Sequence, residues 1–445
     1  MHWSVATAAG VATAVAVILW QRRRRPEHCK IGVLPPPPPP VHRLDLNAPM
    51  DRARPEYHTV KHGLAPVIFG DGAAGALPLW VADMELPCCP QIQRALCERA
   101  AQPHFGYTFQ PSQMWLQVGR WLMEQQGWPA PLSSDEFIFS ASVVAAFANA
   151  LTAFTSVGDG VMVMTPLYAP LQDAVTKLGR VLVTHTLEKR GGDDVYEMGL
   201  VRLEAAFDEG GVTALVLCNP HNPSGRVWRR NELDALAKLC ARRGILVLAD
   251  EIWADWVLPH ACNAAQFTPF RAAATPARCA HIVFGAPTKT WNLAGLHCSY
   301  AVIGDAELRA RYMAVVEPGT LHYGSTFATV AMLAAYEHGA PWLAAAKAHV
   351  VANFEYLSAY LAEHRPAIVP MTPEATFLVW LDCSRLGVSP DELRRRLIAA
   401  GLLLSPGSEF GGEHCGHYQR INIACARPML EEACRRLRAA FPLKS

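Results

Sequence analysis

One lysine stands alone in the uncharged stretch "FGAPTKTWNLAGL", residues 284–296. A lysine in an apolar setting loses hydration, so its pKa falls and the neutral amine becomes a nucleophile towards carbonyl carbons. Lys289 could therefore bond covalently to a carbonyl compound and move a proton near neutral pH. The common alternative is a lysine whose stem lies on apolar surface while its ammonium group reaches water. The rest of the chain has to decide between the two.

Two further motifs place polar residues at the ends of apolar, strand-like segments. "CNPHNPSGRVW", residues 218–228, has two Asn-Pro steps. Proline restricts the residue before it to extended geometry, and an X-Pro bond here could be cis, so Asn222 would be held rigidly. "LADEIWADW" puts Asp250 at the end of an apolar run, where a buried carboxylate needs a partner. A protonated heterocyclic nitrogen or a structural arginine would each serve.

The elements that must position these residues are apolar strands alternating with amphipathic helices from about Leu44. Helical segments such as "NELDALAKLCARRG", which ends in Gly244, separate the strand-like runs. The runs are "GDGVMVMTP", "RVLVTHTL", "VTALVLCNP", "GILVLADE" and "HIVFGAP". This alternation predicts an α/β fold, with a mostly parallel sheet covered by helices on both faces. Ligands of such sheets bind outside the C-terminal ends of the strands, where Asn219, Asp250 and Lys289 fall.

The chain divides into four segments by composition. Residues 1–43 combine an apolar run, an arginine run and a poly-proline linker. We expect residues 44–90 to form the N-terminal part of a small domain and residues 91–325 to form the large ligand-binding domain. Residues 326–445 contain a long helical stretch and the strand-like runs "ATFLVWLD" and "YQRINIAC". They predict a smaller C-terminal α/β domain.

Composition excludes several classes of protein. The formal net charge is +1, so the body carries no electrostatic footprint for nucleic acid. The 13 cysteines are scattered without a CxxC motif. This argues for reduced thiols and against both a disulfide framework and a zinc site, so we predict no metal.

The N-terminus predicts either a membrane anchor or a targeting peptide. Residues 3–20, "WSVATAAGVATAVAVILW", are uncharged and close to the minimum length that spans a bilayer. Four arginines, residues 22–25, follow directly, which predicts that the body faces the cytosol. Six prolines, residues 35–40, would form a stiff spacer. A cleaved signal or an organelle-targeting peptide is the alternative.

The motifs together resemble a known family, the pyridoxal-phosphate enzymes of fold type I, class I/II aminotransferases. "NPHNPSG", "ADE" and "PTKT" stand in the family's order and at its approximate spacing. "LPLWVADMELP", "HFGYT", "PEATFLVWLD" and "RINIAC" look most like the cystathionine β-lyase, or C–S lyase, branch. The resemblance runs from about residue 44 to the C-terminus. It implies pyridoxal 5′-phosphate as cofactor, an amino acid as substrate, and a homodimer with shared active sites.

The resemblance also implies roles at the cofactor ring and the substrate. Lys289 would bind the cofactor covalently and later move the Cα proton, and Asp250 would keep the ring nitrogen protonated. Asn222 would hydrogen-bond the phenolic oxygen of the ring, and Tyr168 would stack on the ring face. Arg420 would hold the substrate α-carboxylate in a bidentate fork.

Further roles concern the phosphate and the edge of the site. The stretch "SASVVAAFANAL" predicts a helix N-terminus whose amides, at Ser142, Val143 and Val144, would hold the phosphate. Tyr107 in "HFGYT" would reach the phosphate in the partner subunit. Asp83 in "LPLWVADMELP" is assigned to substrate binding.

Four positions of the cofactor site depart from the family. Ser142 stands where the family usually has glycine, and Ala286 where it has a hydroxyl residue. His297 stands where the wider class often has a phosphate-binding arginine, so we expect weaker compensation of the phosphate charge. Trp253 stands where relatives carry Tyr or His. An indole can donate a hydrogen bond but cannot titrate, and a packing role in the core is an equal alternative.

Three functions follow from these residues. The first is β-elimination of a thiol from cystathionine or another cysteine S-conjugate, which yields pyruvate and ammonia. The second is transamination on the same scaffold, and the third is a poorly active regulatory protein with the same fold. Arg420 alone matches a carboxylate-binding motif, and we expect Trp253 and Trp291 to line an apolar space for a departing thiol. Both features favour elimination.

Overall fold

The computed structural model describes residues 45–48, 57–70, 73–129, 131–189, 195–259 and 266–442. In these ranges the α-helices are Val60–Gly63, Ala65–Phe69, Pro90–Ala100, Ser112–Gln126, Val143–Phe154, Ala169–Lys177, Leu200–Glu209, Arg230–Arg243, Phe270–Ala277, Pro287–Thr290, Ala306–Val316, Thr326–His338, Ala340–His364, Pro390–Ala399, Ser408–Gly411 and Arg427–Ala440. Short 3₁₀ turns occur at Ser134–Glu136, Ala254–Trp256, Ala294–Leu296, Ser384–Leu386 and Gly412–Cys415.

A seven-stranded sheet forms the centre of the larger part of the molecule. From edge to edge its strands are Phe137–Ser140, Ser299–Val302, His281–Gly285, Leu246–Asp250, Val212–Cys218, Gly160–Thr165 and Val181–Thr186. Ser299–Val302 runs antiparallel to both of its neighbours, and the other four pairs of adjacent strands in this sheet are parallel. The predicted α/β fold class is therefore confirmed. The first two strands of this order were not identified from sequence.

Both faces of this sheet are covered, which explains the continuous apolar strands. In Gly160–Thr165, Val161 and Val163 pack into one hydrophobic core, while Met162 and Met164 pack into the other. Successive side chains of a strand point to opposite faces, so a sheet buried on both sides needs apolar residues at every position.

A second, smaller sheet is antiparallel and lies towards the C-terminus. Its order is Val369–Pro370, Leu378–Asp382, Tyr418–Asn422 and Ser405–Pro406. The chain before residue 90 joins this region, because Leu77–Pro78 pairs with Leu402–Leu403. A two-stranded ribbon, Glu188–Lys189 with Tyr196–Glu197, completes the strands. The division into segments at residues 90 and 325 stays a prediction.

The long helical stretch after Thr326 is two helices that meet at Gly339. A Cβ at this position would lie 2.1 Å from Nε1 of Trp291, so only glycine allows the chain to pass this ring. Trp291 Nε1 in turn donates a hydrogen bond to the carbonyl of Gly339, at 3.0 Å. The contact ties the helix junction to the segment that carries Lys289.

None of the helices in the described ranges is long and apolar enough to cross a membrane. Residues 3–20, the predicted anchor, lie outside those ranges.

Candidate active site

Four neighbouring parallel strands end at one edge of the large sheet, at Thr165, Cys218, Asp250 and Gly285. The predicted side chains lie at these ends or just beyond them: Tyr168, Asn222, Asp250 and Lys289. The smaller sheet adds Arg420, from its strand Tyr418–Asn422. The structure therefore brings together five residues that are widely separated in sequence.

Lys289 lies in the short turn Pro287–Thr290, directly after a buried strand. Its Nζ donates a hydrogen bond to the carbonyl of Ala82, at 2.7 Å, and lies 5.8 Å from the ring centroid of Trp253. The pKa of this amine is lowered to about 8, chiefly by burial; Asp83 opposes the lowering and Arg420 adds to it. The lone lysine is thus half-buried with a desolvated amine, and is not an ordinary surface lysine.

We expect the reactivity of Lys289 towards aldehydes to depend on pH in a distinctive way. With its pKa lowered to about 8, the amine is protonated below that pH and neutral above it. About one molecule in ten then carries the neutral amine at pH 7, against about one in several thousand for an ordinary lysine. The rate of reductive labelling of Lys289 in the cofactor-free protein should rise with pH and level off above about pH 8.

Peptide mass analysis of the same samples measures this rate at every lysine. Ordinary lysines, with a pKa of about 10.4, serve as the internal comparison, because their labelling keeps rising to about pH 10. A Lys289 rate that also rises to about pH 10 would contradict the assignment of a desolvated amine.

Residues of the 3₁₀ turn Ala254–Trp256 hydrogen-bond to the segment that carries Lys289. The indole Nε1 of Trp256 donates to the carbonyl of Lys289, at 2.7 Å. The hydroxyl of Thr290 donates to Asp255 Oδ2, at 2.8 Å. Asp255 is buried and also accepts from the side chains of Trp121 and Gln126, each at 2.8 Å. This support restricts how far the lysine can move.

Asp250 is the last residue of its strand and is 6% exposed. Its Oδ1 accepts from the amide of Ile252, at 3.1 Å. The pKa of this carboxyl is raised to about 6, chiefly by burial; the Ile252 amide and Lys289 oppose the rise. A buried carboxyl with so few donors would gain from a cationic nitrogen placed against it. The side chain fits the predicted partnership with a protonated ring nitrogen.

Glu251, the next residue, is also buried but contacts a different segment of the chain. Its Oε1 accepts from the amide of Phe270, at 2.6 Å, and burial raises the pKa of the carboxyl to about 8. Glu251 therefore supports the helix that starts at Phe270, and the motif "ADE" contributes only Asp250 to the site.

Arg420 is a buried guanidinium without a carboxylate partner in the described part of the chain. It is 4% exposed, and its Nη atoms donate to Asn222 Oδ1, the Trp80 carbonyl and Ser405 Oγ, at 2.9–3.1 Å. Its Nε is buried with no hydrogen-bond acceptor. Burial lowers the pKa of this guanidinium to about 10. A buried guanidinium with a free N–H donor can bind an anion such as a carboxylate.

Asn222 connects the arginine to the loop after its strand. It is buried, and its Oδ1 accepts from Arg420 at 3.1 Å. Its Nδ2 has no acceptor among the described residues, so it can donate to a ligand. The Asn219–Pro220 and Asn222–Pro223 bonds are both cis, as the motif allowed.

Tyr168 begins the helix Ala169–Lys177 and is half-buried. Burial raises the pKa of its phenol, Arg420 lowers it, and Asp250 raises it again. The ring therefore lies within electrostatic range of both groups. Its predicted role, stacking on a cofactor ring, stays a prediction.

The predicted phosphate-binding helix begins at Val143, after Ser142. The Ser142 hydroxyl accepts from the amide of Ala145, at 3.1 Å. The first amides of a helix have no earlier residue in that helix to bond, so those of Val143 and Val144 point outwards at its positive end. Ser142 is extended, with φ −158°, so this position does not require glycine. The departure from the family is compatible with the backbone.

Two other departures leave fewer side-chain donors near this helix. Ala286 is buried before the lysine turn, where a hydroxyl is absent. His297 follows the turn Ala294–Leu296 with φ +52°, a left-handed conformation that side chains seldom adopt.

The two tryptophans expected near the cofactor differ in position. Trp253 is buried against Phe377, with ring centroids 4.8 Å apart, and also faces Lys289. Trp291 is wholly buried and packs against Trp121 and Tyr336, at 5.1 and 5.0 Å. The expectation that Trp291 lines the site is wrong, because the lysine turn directs its indole into the core.

Of two further predicted residues, Asp83 lies beside Lys289, whereas Tyr107 makes no contact with the other predicted site residues in the described structure. Asp83 follows Ala82, whose carbonyl binds Lys289, and its own carboxylate lies 2.5 Å from Lys61. Tyr107 is fully exposed, in an irregular segment before the helix Ser112–Gln126.

Sequence reasoning missed Lys61, Asp255 and Ser405. Asp255 did carry a signal, since a single acid inside the apolar run "IWADWVL" must be buried or capped. Lys61 and Ser405 carried none, because their partners come from distant segments of the chain.

Comparison with known proteins places the chain in a family. The model of the family "aminotransferase class I and II" matches residues 128–437, more than half of the chain. The chain is 35% identical over 371 residues to the cystathionine beta-lyase PatB of Bacillus subtilis (strain 168), covering 83% of this chain and 94% of that protein. It is 29% identical over 367 residues to the protein MalY of Escherichia coli (strain K12), covering 81% and 90%.

The fold is also similar to that of a solved structure. Cystalysin from Treponema denticola, described as containing a pyridoxal 5′-phosphate cofactor, superposes with a TM-score of 0.82 at 26% identity, covering 90% of this chain and 99% of that one. The chain belongs to the aminotransferase class I and II family. The predicted family is confirmed, and relatives named cystathionine beta-lyase represent the branch that the motifs favoured.

Proposed function

We propose that this protein is a pyridoxal-phosphate-dependent β-lyase that eliminates a thiol from cystathionine or a related S-substituted L-cysteine. The observation that carries the proposal is one site that joins a lysine with its pKa lowered to about 8, a buried Asp250 and a buried Arg420 whose Nε has no acceptor. The relatives named cystathionine beta-lyase support the same reaction.

The side chains present fit the cofactor. Asp250 offers a buried carboxylate for the ring nitrogen, and Asn222 offers a free Nδ2 for the ring oxygen. The start of the helix Val143–Phe154 offers amides for the phosphate, and Lys289 offers the amine for the covalent bond. When bound, the cofactor supplies an electron sink that makes the Cα–H bond of an amino acid acidic.

The chain's own groups then perform the reaction. Arg420 holds the α-carboxylate of the substrate through a fork, which orients the Cα–H bond. The neutral amine of Lys289 would remove the Cα proton of the bound substrate. The electron pair left at Cα forms the Cα–Cβ double bond, and the Cβ–S bond breaks to release the thiolate, which takes up a proton. With one water, each turnover yields thiol, pyruvate and ammonia.

Transamination is the second candidate, because the family's name includes it. Glutamate has a distal carboxylate that usually needs a second guanidinium. Neither His297 nor Trp253 provides one. We expect kcat/KM for elimination from cystathionine to exceed that for glutamate transamination at least about tenfold, a gap of roughly 1.4 kcal/mol. Pyruvate release and oxoglutarate formation, assayed on one preparation, measure both. Faster transamination would favour the aminotransferase. The third candidate, a poorly active regulatory protein, predicts negligible turnover in both assays.

We also propose a homodimer with shared sites. Phe105, Tyr107 and Phe109 are exposed, and Phe109 and Tyr323 line a common cavity of about 530 Å³. Exposed apolar groups of this kind are typical of subunit interfaces. If Tyr107 completes the partner's site, co-expression of Tyr107→Ala with Lys289→Ala creates heterodimers with one intact site and restores activity. If both variants are monomeric and their co-expression restores no activity, this arrangement is contradicted.

Residues 3–20 are proposed as an anchor that leaves the body facing the cytosol. Carbonate extraction of membranes from cells that produce the full chain, compared with a chain starting at residue 44, tests this. Release of both proteins would favour the organelle-targeting alternative.

A further inference from the structure

A buried lysine lies next to the proposed site and is not used by the proposed reaction. Lys61 is 1% exposed, and its Nζ lies 2.5 Å from Asp83 Oδ1 and 3.0 Å from Glu85 Oε1. The same Nζ donates to the carbonyl of Asp83, at 2.7 Å. Two carboxylates therefore share one ammonium group, and His62 Nε2 also lies 3.5 Å from Glu85 Oε1.

Asp83 is the member of this group that reaches towards the site. Its side chain is 34% exposed, whereas those of Lys61 and Glu85 are buried or nearly so. Oδ1 is turned inwards and buried, so the exposed part of the carboxylate includes Oδ2. Asp83 also gives the largest favourable charge interaction with the Lys289 ammonium group. Its carboxylate therefore lies close to the reacting amine.

The segment that carries Asp83 runs between the two ends of the substrate site. The carbonyl of Trp80 accepts from Arg420, at 2.9 Å, and the carbonyl of Ala82 accepts from Lys289, at 2.7 Å. A substrate with its carboxylate on Arg420 and its Cα at Lys289 must lie along residues 80–82. The next residue, Asp83, is then placed to meet the substrate side chain beyond Cα.

We infer that Asp83 selects substrates by the charge of their distal group. It favours S-substituted cysteines with a distal ammonium group and disfavours those whose distal group is only a carboxylate. This inference rests on the proposed function and names its substrate class. Asp83 thereby acts as a specificity-determining residue, because its partly exposed carboxylate attracts cations and repels anions.

The test compares three substrates of similar size on the holoenzyme. S-(2-aminoethyl)-L-cysteine has a cationic end, S-ethyl-L-cysteine a neutral end and S-carboxymethyl-L-cysteine an anionic end. Pyruvate release gives kcat/KM for each with wild type, Asp83→Asn and the matched control Glu85→Gln. Asparagine keeps the size and an oxygen for Lys61, and the main-chain bonds of residue 83 are unchanged.

We expect the wild type to prefer the cationic over the anionic substrate at least about 30-fold. Asp83→Asn should lower that ratio at least about tenfold. Glu85→Gln should lower it by less, because Lys61 then compensates Asp83 more fully while the partly exposed carboxylate of Asp83 stays in place. Any effect of Asp83 on Lys289 is common to all substrates, so it cancels in the ratio. An unchanged ratio in Asp83→Asn, or an equal fall in Glu85→Gln, would overturn the inference.

A binding series separates this inference from the proposed function. L-lysine, L-norleucine and L-2-aminoadipate match the three substrates in length but have no leaving thiol. Their dissociation constants follow from the change in cofactor absorbance on titration. If the wild type releases no pyruvate at all, the proposed function fails, yet tighter lysine binding that Asp83→Asn removes still supports the role of Asp83. Equal lysine-to-aminoadipate ratios in both proteins would overturn it.

Discussion

Replacing Lys289 by alanine should lower kcat for elimination by about 10²–10⁴-fold and should abolish covalent attachment of the cofactor. The physical reason is that one amine performs two tasks, because it bonds the cofactor and later removes the Cα proton. Its lowered pKa of about 8 provides a neutral amine near physiological pH. Borohydride reduction followed by peptide mapping should find the cofactor on Lys289 in the wild type.

Lys347→Ala is the matched control, since burial also lowers the pKa of that amine. Lys347 lies on the helix Ala340–His364 and outside the turn that carries Lys289, and its charge partner is Asp255. The control should keep both activity and the reducible adduct. A cofactor that borohydride still attaches to the chain in Lys289→Ala would show that another residue is the attachment point.

The second large effect is expected for Arg420→Lys. Lysine keeps the charge but loses the planar fork that binds a carboxylate through two parallel bonds. Arg420 also donates hydrogen bonds to Asn222 and to the carbonyl of Trp80. Because lysine has fewer N–H donors, we expect both of these contacts to weaken. We expect kcat/KM for S-substituted cysteines to fall by about 30- to 1,000-fold, which is about 2–4 kcal/mol of lost transition-state binding.

Arg365→Lys controls for the loss of a buried guanidinium elsewhere. Arg365 is buried in the C-terminal region and donates to the main-chain carbonyls of His364 and Arg438. Its replacement should change thermal stability without changing kcat/KM. If Arg420→Lys leaves kcat/KM unaltered while the cofactor stays bound, the substrate carboxylate binds at a different group.

Local sequence predicted the parallel strands and the polar residues at their ends. Apolar runs of strand length, separated by amphipathic helices, allow few packing solutions, and the ends of parallel strands meet at one edge. Lys289, Asp250 and Asn222 could therefore be expected near one another. The antiparallel strand Ser299–Val302 was missed, since four residues of "SYAV" carry no period that separates a strand from a buried turn.

The direction of each side chain was decided by tertiary packing. Trp253 and Trp291 are both bulky apolar residues near polar motif positions, and sequence treats them alike. In the structure Trp253 faces the amine of Lys289, whereas Trp291 packs in the core beside Gly339. The difference arises because the two residues come from different segments: Trp253 follows the strand Leu246–Asp250, whereas Trp291 follows the turn Pro287–Thr290.

The sequence by itself determined the fold class, the family and the identity of five candidate site residues, because those depend on local pattern and motif order. Tertiary structure alone decided which charges meet. Lys61 contacts Asp83 across 22 residues, and Asp255 supports Thr290 across 35. The hydrogen-bond and ion-pair partners of a carboxylate depend on its burial and on donors from distant segments of the chain. The local sequence around the carboxylate does not contain this information.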